Sequence, residues 1–199
     1  MLKIVLVLCV ALSLSLQGCS PSPIKNVEAQ GISIVCFGDS ITYGDGAKKN
    51  ESYPSVLRNI SGASVVNAGV SGDTTGAALK RLNKDVFPAD PYLVIVELGA
   101  NDFIRRIPAE KTISNLRKMV RDIQDRGAIV AIVDVSGQYD IYHDKFKRLA
   151  KEEGCLFIPR VMEGITKNSS LKADNFHPNA AGYRVIAQRV YAQIKPYIK

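Results

Sequence analysis

Apolar residues along the chain fall into two kinds of run, and the two kinds alternate. One kind is short and nearly continuous, over residues 32–37, 64–67, 93–98, 129–135 and 156–158. Runs of this length, rich in valine and isoleucine, read as strands. The unbroken ones, YLVIVELG and AIVAIVDV, read as strands buried on both faces. The other kind recurs at helical spacing. Over residues 109–126 the apolar Ile113, Leu116, Val120 and Ile123 share one helix face, and Gly127 stands just beyond, where a left-handed cap is expected. Similar patterns predict helices near residues 53–60, 74–86, 142–153 and 180–198. Strand–helix alternation implies right-handed crossovers and a parallel sheet covered on both sides, an α/β fold.

The N-terminus breaks this rhythm. Lys3 precedes an apolar stretch over residues 4–16. It is short for a membrane-spanning helix, which needs about 20 apolar residues, and reads as a signal peptide over residues 1–18. LQGC, residues 16–19, resembles the bacterial lipoprotein box, in which Cys19 would take a lipid on its sulfur and become the first mature residue. An ordinary cleaved signal is the other reading. Both imply export to the bacterial cell envelope, as a periplasmic protein or a membrane-anchored lipoprotein. The next stretch, SPSPIKNVEAQG, is polar and contains proline, making residues 19–31 a mobile tether. The folded domain is then expected over residues 32–199.

Composition adds limits. At 199 residues the chain supports one domain with a substantial core. With 46% apolar and 23% charged residues it has the balance of a globular protein. The net charge of +7 is spread over scattered pairs such as Lys80-Arg81, Arg105-Arg106, Arg117-Lys118 and Lys147-Arg148, with acids interspersed. Scattered charge reads as a solvated surface rather than a nucleic-acid footprint. Beyond the signal and Cys19, two cysteines are left. Cys36, near the end of the first strand, and Cys155, before the last, fall too far apart in such a sheet to bond, so buried free thiols are expected.

In open parallel sheets functional groups gather at the carboxyl ends of strands. There the sequence places Gly38-Asp39-Ser40, then NAGVSGDTT (residues 67–75), then GAND (99–102), and after the last strand ADNFHPN (173–179). Of the two histidines, His143 falls in a predicted helix among charged residues and reads as a surface residue. His177 stands three residues after Asp174 and just before Pro178. An aspartate so placed can accept from one imidazole nitrogen and leave the other free as a base for Ser40. The same segment also reads as a helix-entry turn with Asn179 as cap. Gly72 and Asn101 offer a close backbone N–H and an amide N–H₂, the donors an oxyanion needs, or else a turn glycine and a capping asparagine. No spacing of metal ligands stands out.

These four blocks, in this order, resemble those of the SGNH (GDSL) hydrolases over residues 32–197. VVNAGVSGDTT, LVIVELGAND and ADNFHPNAAG are similar to the bacterial thioesterase/lysophospholipase/arylesterase branch. The resemblance implies a three-layer α/β/α sandwich with a five-stranded parallel, flavodoxin-like sheet. It implies Ser40 as nucleophile, His177 as base and then acid, and Asp174 as its partner. The oxyanion hole would be the backbone N–H groups of Ser40 and Gly72 with the Asn101 side chain. No metal and no cofactor are implied. The expected activity is hydrolysis of carboxylic or thio esters of acyl groups through an acyl-enzyme. A carbohydrate O-acetylesterase and a non-catalytic envelope binding protein are the alternatives. The expected partner is a small-molecule or lipid ester, with no nucleic acid, and the protein is expected to be a monomer. Two loops, DFIRRIP (residues 102–108) and DVSGQYDIY (134–142), are placed to shape an acyl pocket. Their Phe103, Ile104, Ile107, Tyr139 and Ile141 either line an apolar slot or serve as routine packing.

Overall fold

The computed structural model describes residues 23–135 and 142–199. Five strands form one sheet: β1 (Ser33–Gly38), β2 (Val65–Gly69), β3 (Pro91–Glu97), β4 (Ile129–Val133) and β5 (Leu156–Ile158). All pairings are parallel, in the order β2-β1-β3-β4-β5. The helices are α1 (Ser40–Tyr43), α2 (Tyr53–Ser61), α3 (Thr75–Asp85), α4 (Ala100–Ile104), α5 (Ala109–Gln124), α6 (His143–Glu153) and α7 (Ala180–Ile194). The expected three-layer α/β/α sandwich is therefore what forms.

Alternation along each strand builds two cores. Ile34, Cys36, Leu93, Ile95, Ile129 and Ala131 face α2 and α7, meeting Tyr53, Leu57, Tyr183, Ile186 and Val190. Their sequence neighbours Val35, Phe37, Val94, Val96, Val130 and Ile132 face α3, α5 and α6, meeting Leu82, Leu116, Met119, Val120 and Phe146. Both sets are buried, which explains why these strands read as continuous apolar runs rather than as alternating ones. Cys36 and Cys155 are buried free thiols, as expected, and burial pushes both up to about 12.

The strand order fixes where a site can form. The chain runs one way from β1 to β2, then crosses back past β1 to β3 and on to β4 and β5, so a crevice opens at the carboxyl ends of β1 and β3, where the direction reverses. Two short helices, α1 and α4, start there, one directly after each strand. Neither has a length that a helical period can reveal. At the far end, the helix predicted to residue 198 stops at Ile194, and a 3₁₀ turn over Lys195–Tyr197 succeeds it with Pro196 inside.

The tether expectation is corrected at its C-terminal part. From Pro23 onward the chain is packed on the domain, so the described fold begins upstream of Ile32. The Lys25 N–H donates to Gly154 O at 3.0 Å, and the Asn26 side-chain amide donates to Gln124 O at 2.8 Å and Ala128 O at 3.0 Å. Ala29 is buried in the α2/α7 core. Polar composition conceals this because the segment is held by hydrogen bonds to helix-end and strand-start carbonyls, which leave no apolar period. The signal peptide and Cys19 lie outside the described residues, as do Tyr139 and Ile141.

Asn26 has φ of 60°, a left-handed conformation that asparagine tolerates better than alanine. Asn26→Ala should therefore lower unfolding free energy by about 1–3 kcal/mol in urea titrations, through two lost hydrogen bonds and backbone strain. Asn26→Gly removes the bonds without the strain and should cost less; equal losses would assign the whole effect to the hydrogen bonds.

Candidate functional site

Ser40 is the first residue of α1. Asp39 caps that helix, its Oδ1 accepting from the Ile41 N–H at 3.1 Å. The turn from β1 into α1 is tight. A Cβ on Gly38 would come within 2.1 Å of Thr42 Oγ1 and 2.5 Å of Glu97 O, so only glycine fits there. Ser40 is thus held at the mouth of the β1–β3 crevice by a strand on one side and a capped helical turn on the other.

His177 reaches Ser40 from the far end of the chain. Its Nε2 lies 3.1 Å from Ser40 Oγ, and its Nδ1 lies 2.8 Å from Asp174 Oδ2. These partners assign the Nδ1–H tautomer, with Nε2 as acceptor from the serine hydroxyl. Asp174 also accepts through Oδ1 from the backbone N–H of Phe176 at 2.7 Å and of His177 at 2.8 Å. The histidine hydrogen bond, then those two N–H groups, hold the Asp174 carboxyl down at about 2, so it is ionised at any working pH. Asn179 does cap α7, accepting from Ala181 N–H and Gly182 N–H. The two readings of ADNFHPN hold together: the turn that starts α7 also presents the histidine.

The expected oxyanion donors lie in turns that follow β1, β2 and β3 at the same edge of the sheet. Gly72 takes a φ of 77°, and its carbonyl accepts from Arg105 Nη2 at 2.9 Å. Among the described residues the backbone N–H groups of Ser40 and Gly72 have no protein acceptor. Asn101, in α4, donates one amide hydrogen to Asp39 Oδ2 at 3.0 Å. That bond turns the amide nitrogen toward the serine turn and leaves its second hydrogen for another acceptor.

Several residues that support this geometry do not stand out in the sequence. Asp39 bridges the serine turn and Asn101; burial pushes its carboxyl up to about 6. Glu97, at the end of β3, is 1% exposed. Its Oε2 accepts from Thr42 N–H at 3.1 Å and Thr42 O–H at 2.7 Å, and burial holds its carboxyl well above the usual range. An acid in the otherwise apolar run YLVIVELG is the available signal. Asp102 is fully buried and fixes the start of α3, accepting from Thr75 N–H at 2.8 Å, as well as from the Thr75 and Thr112 hydroxyls.

Two expectations about charge are corrected. Arg81 belongs to no solvated pair. It bonds Asp73 at 2.6 Å, donates to Ala68 O and Gly38 O at 2.8 and 2.9 Å, and stacks on the Phe37 ring. It ties the ends of β1 and β2 to the turn that carries Gly72. His143 is not a surface residue: Nδ1 lies 2.6 Å from buried Asp134 Oδ2, with the ring edge against Phe157. Both departures have one cause. A charge near a strand end can find backbone carbonyls or a buried carboxylate, which local sequence does not reveal. Among the described residues, no three His, Cys, Asp or Glu side chains gather as a metal-ligand set.

Comparison with known proteins agrees with this arrangement. The model of the GDSL-like lipase/acylhydrolase family matches residues 36–185. An arylesterase from Vibrio mimicus is 32% identical over 178 residues, covering 83% of this chain and 89% of the relative. The thioesterase 1/protease 1/lysophospholipase L1 of Escherichia coli is 30% identical over 175 residues, covering 83% and 84%. The crystal structure of the psychrotrophic esterase EstA from Pseudoalteromonas superposes with a TM-score of 0.75 at 26% identity, covering 83% of this chain and 98% of that one. With its sequence blocks and its fold in agreement, the chain belongs to the GDSL-like lipase/acylhydrolase family, and it is an ester hydrolase.

Proposed function

We propose that this ester hydrolase is a serine esterase cleaving carboxylic or thio esters of apolar acyl groups through an acyl-enzyme on Ser40. The observation that carries the reading is the unbroken line Ser40 Oγ, His177, Asp174, with links of 3.1 and 2.8 Å. As Ser40 Oγ attacks the ester carbonyl, its proton passes to His177 Nε2. Ionised Asp174 stabilises the imidazolium that forms. The oxyanion takes hydrogen bonds from the Ser40 N–H, the Gly72 N–H and the second Asn101 amide hydrogen. One such donor is worth about 10²–10³ in rate. The tetrahedral adduct collapses, His177 protonates the departing alkoxide or thiolate, and the acyl group stays on Ser40. Water then attacks the acyl carbonyl and gives a proton to His177, which returns it to Ser40 as the acid leaves.

An apolar substrate is supported by where exposed hydrophobic surface collects. Of eight large exposed hydrophobic residues among those described, five stand within three positions of Ser40, Gly72, Asn101 or His177 in the chain: Tyr43, Val70, Phe103, Ile104 and Phe176. Tyr43 ends α1, Val70 precedes Gly72, Phe103 and Ile104 come just after Asn101, and Phe176 precedes His177. Ile107, expected beside them, is half-buried. The relatives named arylesterase and lysophospholipase agree with an apolar acyl or aryl ester.

Export and lipidation of Cys19 belong to the same proposal. Among the described residues no helix is long and apolar enough to cross a membrane. Pro23 enters beside Gly154, at the C-terminal end of α6, on the edge of the sheet opposite Ser40. Four residues span at most about 14 Å, so a lipid on Cys19 would hold that edge near the membrane. The six-residue β1 adds about 20 Å, and Ser40 would face away from the anchoring leaflet.

A fluorophosphonate probe should add one adduct to the wild type, mapped to Ser40 by mass spectrometry and absent from Ser40→Ala. A folded wild type that takes no adduct would sink the acyl-enzyme reading. Turnover across aryl esters of increasing acyl length should rise beyond acetyl, since the rim rewards apolar surface. A profile that peaks at acetyl and extends to acetylated sugars would instead favour the O-acetylesterase. In cell fractionation Cys19→Ser should move the protein from membranes to the soluble fraction with its turnover on soluble esters unchanged. Equal partitioning of both forms would refute the anchor.

A further inference from the structure

Glu97 carries the least expected chemistry in the molecule. It ends a strand buried on both faces, and only one of its carboxyl oxygens is satisfied. Oε2 takes both donors of Thr42, the residue two after Ser40. Oε1 is buried and has no hydrogen-bond partner. The carboxyl of Asp39 lies alongside, and each side chain feels the other.

An ionised glutamate would be costly in this place. A buried carboxylate needs a cation or a full set of donors, and Glu97 has neither. The titratable groups around it are Asp39 from the β1–α1 turn, Cys36 from β1, Tyr53 from α2 and Tyr183 from α7. Each is neutral or negative when it titrates. The nearby arginines are committed elsewhere: Arg58 donates to Val65 O, and Arg81 is taken up by Asp73 and backbone carbonyls. A neutral carboxylic acid resolves the conflict. Its Oε2 can accept from Thr42 as a carbonyl oxygen, and a proton on the other oxygen removes the charge that no cation or further donor offsets.

We propose that Glu97 works as a neutral acid and is a positioning residue, tying the nucleophile turn, through Thr42 and Asp39, to the oxyanion asparagine. Thr42 lies in the single helical turn that begins at Ser40. Asp39 caps that turn and orients Asn101. A proton on Glu97 lets Asp39 stay ionised and lets both carboxyls share one cavity without repulsion. When Glu97 loses the proton, a second negative charge appears beside Asp39, the residue that holds the Asn101 amide.

The test compares Glu97→Gln, an isostere of the neutral acid, with Glu97→Leu, across a pH profile and by infrared spectroscopy. E97Q should keep kcat within a few-fold of wild type, whereas E97L should lose about tenfold or more with KM little changed. Wild-type activity should decline on the alkaline side as Glu97 ionises, and E97Q should lack that decline. Linkage gives a matching sign for stability. The folded state binds the Glu97 proton more tightly than the unfolded chain, so wild-type stability falls as pH rises above the ordinary glutamate range, and E97Q flattens that fall. At a pH above the ordinary glutamate range, the infrared spectrum of the wild type should carry the carbonyl stretch of a protonated carboxyl group, absent from E97Q. E97Q as impaired as E97L, or no protonated-carboxyl band in the wild type, would overturn the proposal. If E97L does not fold, the E97Q profile and the band decide. The kinetic arm rests on the Ser40 reading and the infrared arm does not. A wild type that carries the band but does not label at Ser40 would remove the mechanism and leave the state of Glu97 established.

Discussion

The hydrogen bond from Asn101 to Asp39 is the contact on which the site's geometry depends. Ser40 and Asn101 come after two different strands, β1 and β3, that pair side by side in register. Pairing brings the two strand ends within about 5 Å of each other but does not orient the turns beyond them. Asp39 does. One of its oxygens caps the helical turn that begins with Ser40, and the other holds the Asn101 amide. A single carboxylate, 1% exposed, thereby joins the turn that carries Ser40 to the turn that carries Asn101. Hydrogen bonds in a site closed to water hold geometry better than exposed ones do, and donors fixed beforehand need no rearrangement as charge develops.

The sheet gives this clamp its foundation. Alternate faces of β1, β3 and β4 feed two separate cores, so a shift of one residue in register would exchange them. Such a slip would also move Gly38 away from Glu97, its partner across β3, and carry the serine turn out of reach of Asn101. Arg81 reinforces the other side, binding carbonyls at the ends of both β1 and β2. Packing thus fixes the strand ends, and buried polar contacts convert that placement into the orientation of particular atoms.

Much of this is legible in the chain. Continuous apolar runs mark the strands, and small polar clusters after them mark the edge where Ser40, Gly72, Asn101 and His177 collect. The hidden part has a common physical character. Asp39, Glu97, Thr42 and Arg81 act through partners distant in sequence, and a polar residue's partner leaves no periodic trace. Residues 23–31 read as a tether for the same reason, since their hold on the domain is Asn26 bonding to carbonyls about a hundred positions away. The short helices α1 and α4 escape the pattern because a single turn has no period. Glu97 is the instructive case. An acid inside an apolar strand is plain to see, but its meaning depends on Thr42 and Asp39 lying against it.

Two aspartates flank Ser40, and their surroundings drive them in opposite directions. Asp174 is half-exposed, yet three donors, the His177 ring first, hold its carboxyl down. Asp39 is buried, and desolvation pushes its carboxyl up despite bonds from Ile41 and Asn101. The contrast separates two tasks. Under the proposed mechanism, a group that must stay charged beside a histidine accepting a proton gains from many donors, and solvent access costs it little. A group that only has to orient other atoms gains from burial, where its bonds are short of competitors, and there its charge becomes the liability. Placing a second acid next to Asp39 would compound that liability if both were ionised. The pair is tolerable in a buried site when a proton on Glu97 leaves one charge on the two carboxyls, and this gives the position of Glu97, against the turn that begins at Ser40, its physical sense.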